Sequence, residues 1–172
     1  MRRIVYHGTL KGTLPHEAYG KTLFHAGTKE AALDRIMHTL ENETRQWKNY
    51  VPGTAEIHAY KINQTAPISK RMFGDPIEDN PVPERNIKKI HKYINEVEDP
   101  GSTSLVIPTN FVGKHVTHLG PQFSTNLDNV VTKARDYIND VEHKQMKTLG
   151  YVRAMSGEER QQLYKIYKEV GN

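Results

Sequence analysis

Residues 4–33 read IVYHGTLKGTLPHEAYGKTLFHAGTKEAAL, and how this stretch divides into strand, loop and helix decides the fold. Ile4-Val5-Tyr6 has the β-branched and aromatic character of a short strand and stops at Gly8; Thr22-Leu23-Phe24-His25 reads as a second strand. The residues between them are punctuated by glycine and proline, which marks a loop. Two strings of one kind, His7-Gly8-Thr9 and His25-Ala26-Gly27-Thr28, therefore sit at strand ends. Thr28 is placed to cap a helix beginning Lys29-Glu30-Ala31-Ala32, because its hydroxyl can accept an orphan N–H of the first turn. Leu33, Ile36, Met37 and Leu40 follow at helical spacing and predict a helix over about 28–40 with one apolar face.

Working outward, Ala55–Ile62 (AEIHAYKI) alternates as a half-buried strand does. Residues 64–85 carry four prolines among mixed charges, a composition that suits a long mobile connection. Ile87–Lys92 is helix-compatible, and Asn95-Glu96-Val97-Glu98-Asp99-Pro100-Gly101 then leads into Ser104-Leu105-Val106-Ile107, a buried strand. A last β segment is expected near Gly120–Ser124. From Asn126 the period changes: Val130, Ala134, Tyr137, Ile138 and Val141 predict one helix and Glu158–Val170 another. The expectation is an α+β fold, with a domain over 1–125 and a C-terminal helical extension over 126–172 packed on it.

Composition sets outer bounds. In 172 residues, Lys and Arg (24) exceed Asp and Glu (20) by four, a mild bias toward anionic partners that does not by itself indicate nucleic acid. The absence of cysteine excludes disulfides, thiolate metal sites and a Cys nucleophile, in keeping with a reducing cytoplasm. The apolar run at the start ends at His7, too short for a signal-peptide core, and no later run approaches membrane length. A soluble, cytoplasmic protein without a membrane partner is expected.

A His at a strand end followed by Gly sets an imidazole beside backbone that a ligand can approach, since Gly has no Cβ in the way. Such a rim suits a sugar hydroxyl or an amide, and Thr9 adds a hydroxyl. The equally ordinary alternative is a His bonded to nearby main chain at a turn. Two-histidine phosphoesterases also pair His-x-Thr motifs, but the second string here is His-Ala-Gly-Thr and the two lie too close in sequence for that fold. His25, His115 and His118 lack a carboxylate at ligand spacing, so no metal is expected. Lys70-Arg71 and Lys88-Lys89 with Lys92 read as solvated faces that can also steer phosphates or an acidic protein. Trp47 and Tyr50 read as core or loop anchors, and Tyr151, Tyr164 and Tyr167 as helix-packing aromatics.

The order Tyr6-His7-Gly8-Thr9, then an aromatic strand before an Ala-containing helix, then Tyr93-Ile94-Asn95-Glu96-Val97-Glu98 running into Ser104-Leu105-Val106-Ile107, resembles the ADP-ribosyltransferase-like proteins of the His-Tyr-Glu group, especially those of phages and mobile elements. The likeness spans roughly residues 4–112, and the third motif, with Tyr93, Asn95, Glu98 and the Ser104 strand at the family's intervals, is its most specific part. It implies a split mixed β-sheet of ADP-ribosyltransferase type and NAD as substrate. The two His-Gly-Thr strings would be strand ends converging on one NAD pocket.

In that family's terms, His7 would contact the adenosine-side ribose hydroxyl, and Gly8 would offer main-chain groups to the nicotinamide amide. Glu98 would hydrogen-bond the nicotinamide ribose as its glycosidic bond breaks. Thr9, Phe24, His25 and Asn95 complete the implied cofactor-binding set, and His7 and Glu98 the catalytic pair. A carboxylate there stabilises an oxocarbenium-like transition state more than the ground state. The acceptor implied is a macromolecule, a protein of an infected host being the expected class; nucleic acid is not indicated. The second strand departs from the pattern: where a stacking Tyr belongs it reads Leu23-Phe24-His25, and Phe24 has no phenolic oxygen. That leaves open a catalytically degenerate binding protein that sequesters a ligand or blocks a partner. Glu96 competes with Glu98, since residues two apart in an extended segment share a face; the spacing from Asn95 favours Glu98.

Overall fold

The computed structural model describes residues 3–10, 14, 16, 22–44, 50–73, 88–96 and 98–172. Among them, seven strands and three α-helices follow the order β1 (Arg3–Leu10), β2 (Leu23–Ala26), α1 (Lys29–Thr44), β3 (Ala55–Ile62), β4 (Ile68–Phe73), β5 (Ile90–Ile94), β6 (Thr103–Pro108), β7 (Val116–Gln122), α2 (Leu127–Leu149) and α3 (Gly157–Tyr167). The α+β expectation holds. The strands form two sheets, β1-β3-β7, antiparallel throughout, and β2-β6-β5-β4, mixed because β4 runs parallel to β5.

Strand alternation gives the first sheet two different faces. Tyr6, Leu10, Ala55 and Ile57 face a core shared with Leu33, Ile36 and Leu40 of α1, with Leu127, Val130, Val131 and Ala134 of α2, and with Leu163 and Tyr167 of α3. Val5, Tyr60, Ile62 and Val116 face the other way and meet Phe24, Ala26, Ile90, Leu105 and Ile107 of the second sheet. The C-terminal helices thus build the first core jointly with α1. Fully burying a side chain such as Leu33 or Ile36 contributes about 1.5–3 kcal/mol.

Thr28 caps α1 as its position predicted, its Oγ1 accepting Ala31 N–H at 3.1 Å. Ser156 and Glu159 cap α3 reciprocally, each side chain on the other's backbone N–H. Two expectations are corrected. Of Ile87–Lys92, read as helix-compatible, Ile90–Lys92 belong to strand β5, because pairing with both β4 and β6 outweighs the weak helical preference of a Lys-containing segment. The connection expected over 64–85 contains β4, the last strand of its sheet among the described residues, whose Lys70 and Arg71 are exposed, as charges on outer strands often are. Residues 74–87 and Trp47 lie outside the described residues. The last strand begins at Val116, ahead of the expected Gly120, and takes in His118.

Candidate functional site

The two sheets touch where the two His-Gly-Thr strings do. Tyr6 N–H donates to Gly27 C=O and Gly27 N–H to Tyr6 C=O, both at 2.9 Å. Because main-chain groups alternate along a strand, His7 then exchanges bonds with its β3 partner His58, while Gly8 turns its N–H and C=O to the same side as Tyr6, toward β2. The His7 ring crosses the same gap, with Nδ1 2.5 Å from the His25 carbonyl oxygen. A carbonyl only accepts, so Nδ1 carries the proton and Nε2 is the acceptor of the neutral ring. Phe24, 3% exposed, sets its ring edge-on to His7 at 6.1 Å and against Tyr60 at 4.9 Å. It floors the site from within the inter-sheet core. His25 points from the opposite face of β2 and bonds the Tyr93 hydroxyl through Nδ1 at 3.0 Å.

The missing Cβ of Gly8 serves packing. A methyl built there would stand 1.9 Å from the Ala32 carbonyl oxygen of α1, so glycine at this position lets strand and helix touch backbone to backbone. Gly27 plays the matching part, with a methyl falling 2.4 Å from Ser104 Oγ. What the sequence suggested as ligand access on the side-chain face is helix contact; the main-chain groups of Gly8 remain directed at the gap.

The third motif is a closed turn organised by Asn95. Asn95 is 2% exposed; its Oδ1 accepts Glu98 N–H at 2.9 Å, its carbonyl accepts Gly101 N–H at 2.9 Å, and its Nδ2 donates to Ser104 Oγ at 3.1 Å. Glu96 and Glu98 therefore do not share a face of an extended segment: Glu96 is exposed, whereas the Glu98 side chain is 17% exposed and its Oε1 lies 3.7 Å from Arg35. The turn docks on the start of α1, where Thr28 Oγ1 donates to Asp99 Oδ2 at 2.5 Å. From α3, the Tyr164 hydroxyl donates to the Glu98 carbonyl at 3.2 Å. Phe24 and His25 thus point to opposite faces of β2, and His25 shares its face with Tyr93 and with Ser104, the partner of Asn95.

Behind Glu98 lies buried Asp34, which accepts Tyr167 Oη at 2.8 Å and Arg160 at 2.7 Å. Burial pushes its carboxyl above the usual carboxylate range, and the Arg160 guanidinium opposes that shift. Burial and the neighbouring Asp34 push the Tyr167 phenol well up.

A second constellation was not singled out in the sequence. On the inter-sheet face of the first sheet, beyond the apolar stretch of Val5, Tyr60 and Ile62, lie His7 and Thr9 of β1 and Glu56 and His58 of β3, with His118 of β7 beside Tyr60. His58, 3% exposed, bonds Glu56 Oε2 through Nε2 at 2.9 Å and His118 Nε2 through Nδ1 at 2.9 Å. His118 stacks on Tyr60 at 4.9 Å, and His16 closes the group, its Nδ1 2.8 Å from Tyr60 Oη and its ring 4.8 Å from His118. The signal was present in AEIHAYKI, where period two puts Glu56, His58 and Tyr60 on one face; the partner on β7 was invisible without the fold. His25, His115 and His118, weighed together as metal ligands, are apart: His115 packs on Phe111 while the other two bond Tyr93 and His58. Among the described residues no group of three or more His, Asp or Glu is placed to hold a metal, and no helix is long and apolar enough to cross a membrane.

No protein-family model, curated protein or solved structure matches the chain.

Proposed function

We propose that the chain is an NAD-dependent ADP-ribosyltransferase with a split sheet of that type, acting on a macromolecular acceptor in the cytoplasm, a host protein if the chain is phage-borne. The observation that carries this reading is the convergence of three separated motifs on Gly27-Thr28: the β1 end through Tyr6, the β2 end itself, and the Asn95–Gly101 turn through Asp99 and Ser104. His7 then meets the adenosine-side ribose, and Gly8 offers its β2-facing main chain to the nicotinamide amide. Thr9, Phe24, His25 and Asn95 line or brace the site. Glu98 faces the nicotinamide ribose. Ground-state NAD holds its positive charge on the nicotinamide ring, so a carboxylate at the ribose matters most when charge moves there.

The test is labelled NAD incubated with the purified protein and a cell lysate, following nicotinamide release and label on macromolecules. Glu98→Gln is expected to cut turnover by roughly 100-fold while NAD affinity stays within several-fold, and Glu96→Gln to do much less. One observation favours the second reading, a degenerate binder: the Glu98 carboxylate is engaged by Arg35, and Phe24 stands where the family stacks a Tyr. Saturable NAD binding with no nicotinamide release selects the binder; neither binding nor release rejects both.

A further inference from the structure

The Glu56–His58–His118 chain has a direction that a solvated surface cluster lacks. Its bonds run in series through both nitrogens of one buried imidazole, where metal ligands would converge on a point. An ionised carboxylate can only accept, so His58 Nε2 carries a proton toward Glu56. His58 Nδ1 then either accepts from His118 Nε2–H or, once another proton has arrived, donates to it. One added proton is thereby shared along the chain, and Glu56 stabilises the imidazolium without itself being protonated, the part a carboxylate plays behind a catalytic His. Both ends of the chain, Glu56 and His118, are partly exposed, and His118 is the end that carries a basic nitrogen.

The structure assigns Glu56, His58 and His118 as a proton-transfer site, separate from Glu98, that serves a hydroxyl group bound at the polar end of the inter-sheet face. Resting on the transferase reading, that hydroxyl belongs to the acceptor, or to water in its place. As the acceptor oxygen bonds to the ribose anomeric carbon, its O–H proton passes to His118. The bond from that carbon to the nicotinamide nitrogen breaks with its electron pair, and nicotinamide leaves neutral. No oxidant or further reactant is needed. The titratable groups facing the chain are His7 from β1, opposite His58; Tyr60 from β3; and His16, packed on His118.

Two measurements test the assignment. In protein labelled with 15N in its imidazoles, long-range 15N–1H spectra are expected to show His58 protonated at Nε2 and a scalar coupling across its hydrogen bond to His118 Nε2; Glu56→Gln is expected to change the His58 tautomer. A wild type with His58 Nε2 unprotonated, or with no coupling across the His58–His118 bond, overturns the relay. In the NAD assay, His118→Gln is expected to lower kcat about 100-fold, leave NAD affinity within two-fold and flatten the acid limb of the pH–rate profile. A His118→Gln protein with wild-type kcat and pH profile overturns the catalytic role. If the wild type releases no nicotinamide, the transferase reading is what fails, and the spectra alone decide whether the proton is shared.

Discussion

Gly8→Ala isolates the close contact on which the arrangement of β1 and α1 depends. The added methyl would lie 1.9 Å from the Ala32 carbonyl oxygen, 2.8 Å from its carbonyl carbon and 2.9 Å from Ile36 Cγ1. Real Cβ contacts essentially never fall below 3.0 Å, so strand and helix must separate by more than an ångström. The obstacle is helix backbone, which cannot rotate aside as a side chain can. Overpacking a core costs about 1–3 kcal/mol and more where backbone must move, and here the shift pulls Ala32, Leu33 and Ile36 off the first core. A loss of about 3–5 kcal/mol is expected, a large part of the roughly 5–15 kcal/mol that holds a domain folded. Urea denaturation gives the free energy, and a thermal scan should show the midpoint fall by roughly 10 °C or more. Gly27→Ala is the comparison, since its methyl would fall on Ser104 Oγ, a single side-chain atom, and not on helix backbone, so its loss should be smaller, at the expense of the Asn95–Ser104 bond. If Gly8→Ala unfolds within about 1 kcal/mol of the wild type, the helix contact is not what requires glycine there, and the ligand-access reading of the side-chain face returns.

Asp34→Ala strands the Tyr167 hydroxyl in a fully buried residue and removes the Arg160 partner. It should cost about 2–4 kcal/mol in denaturant unfolding, against about 1 kcal/mol for Tyr167→Phe, which deletes the hydroxyl and leaves the Arg160 pair; equal losses would refute the network. Burial, helped by the Lys89 cation, holds the His91 imidazole below its ordinary range. As pH falls through about 6.5 the unfolded chain therefore binds a proton before the folded one does, so this contribution is complete above that value and drains as pH falls toward the folded pKa. His91→Gln should reduce the stability difference between pH 7.5 and pH 5.5, measured by urea titration, and an unchanged difference would refute the attribution.

The sequence by itself determined those features whose causes are local. A hydroxyl at Thr28 ahead of an apolar 3.6-residue period is sufficient to start α1, and a change of period after Asn126 is sufficient to begin α2, because capping and amphipathicity act over a few residues. The order of the three motifs was legible too. Segment 90–94 was not, since a strand of this kind is held by neighbours supplied from 68–73 and 103–108, far along the chain. Nor was the separation of Glu96 from Glu98, which follows from Asn95 folding the chain back on itself through its own side chain. Tertiary structure alone decided that Gly8 is spent on α1, that Glu98 faces Arg35, and that Glu56, His58 and His118 lie in line. Each depends on two segments meeting in space, and hydrogen bonds of about 3 Å are fixed by where backbones are carried by packing, which spacing along a chain does not encode.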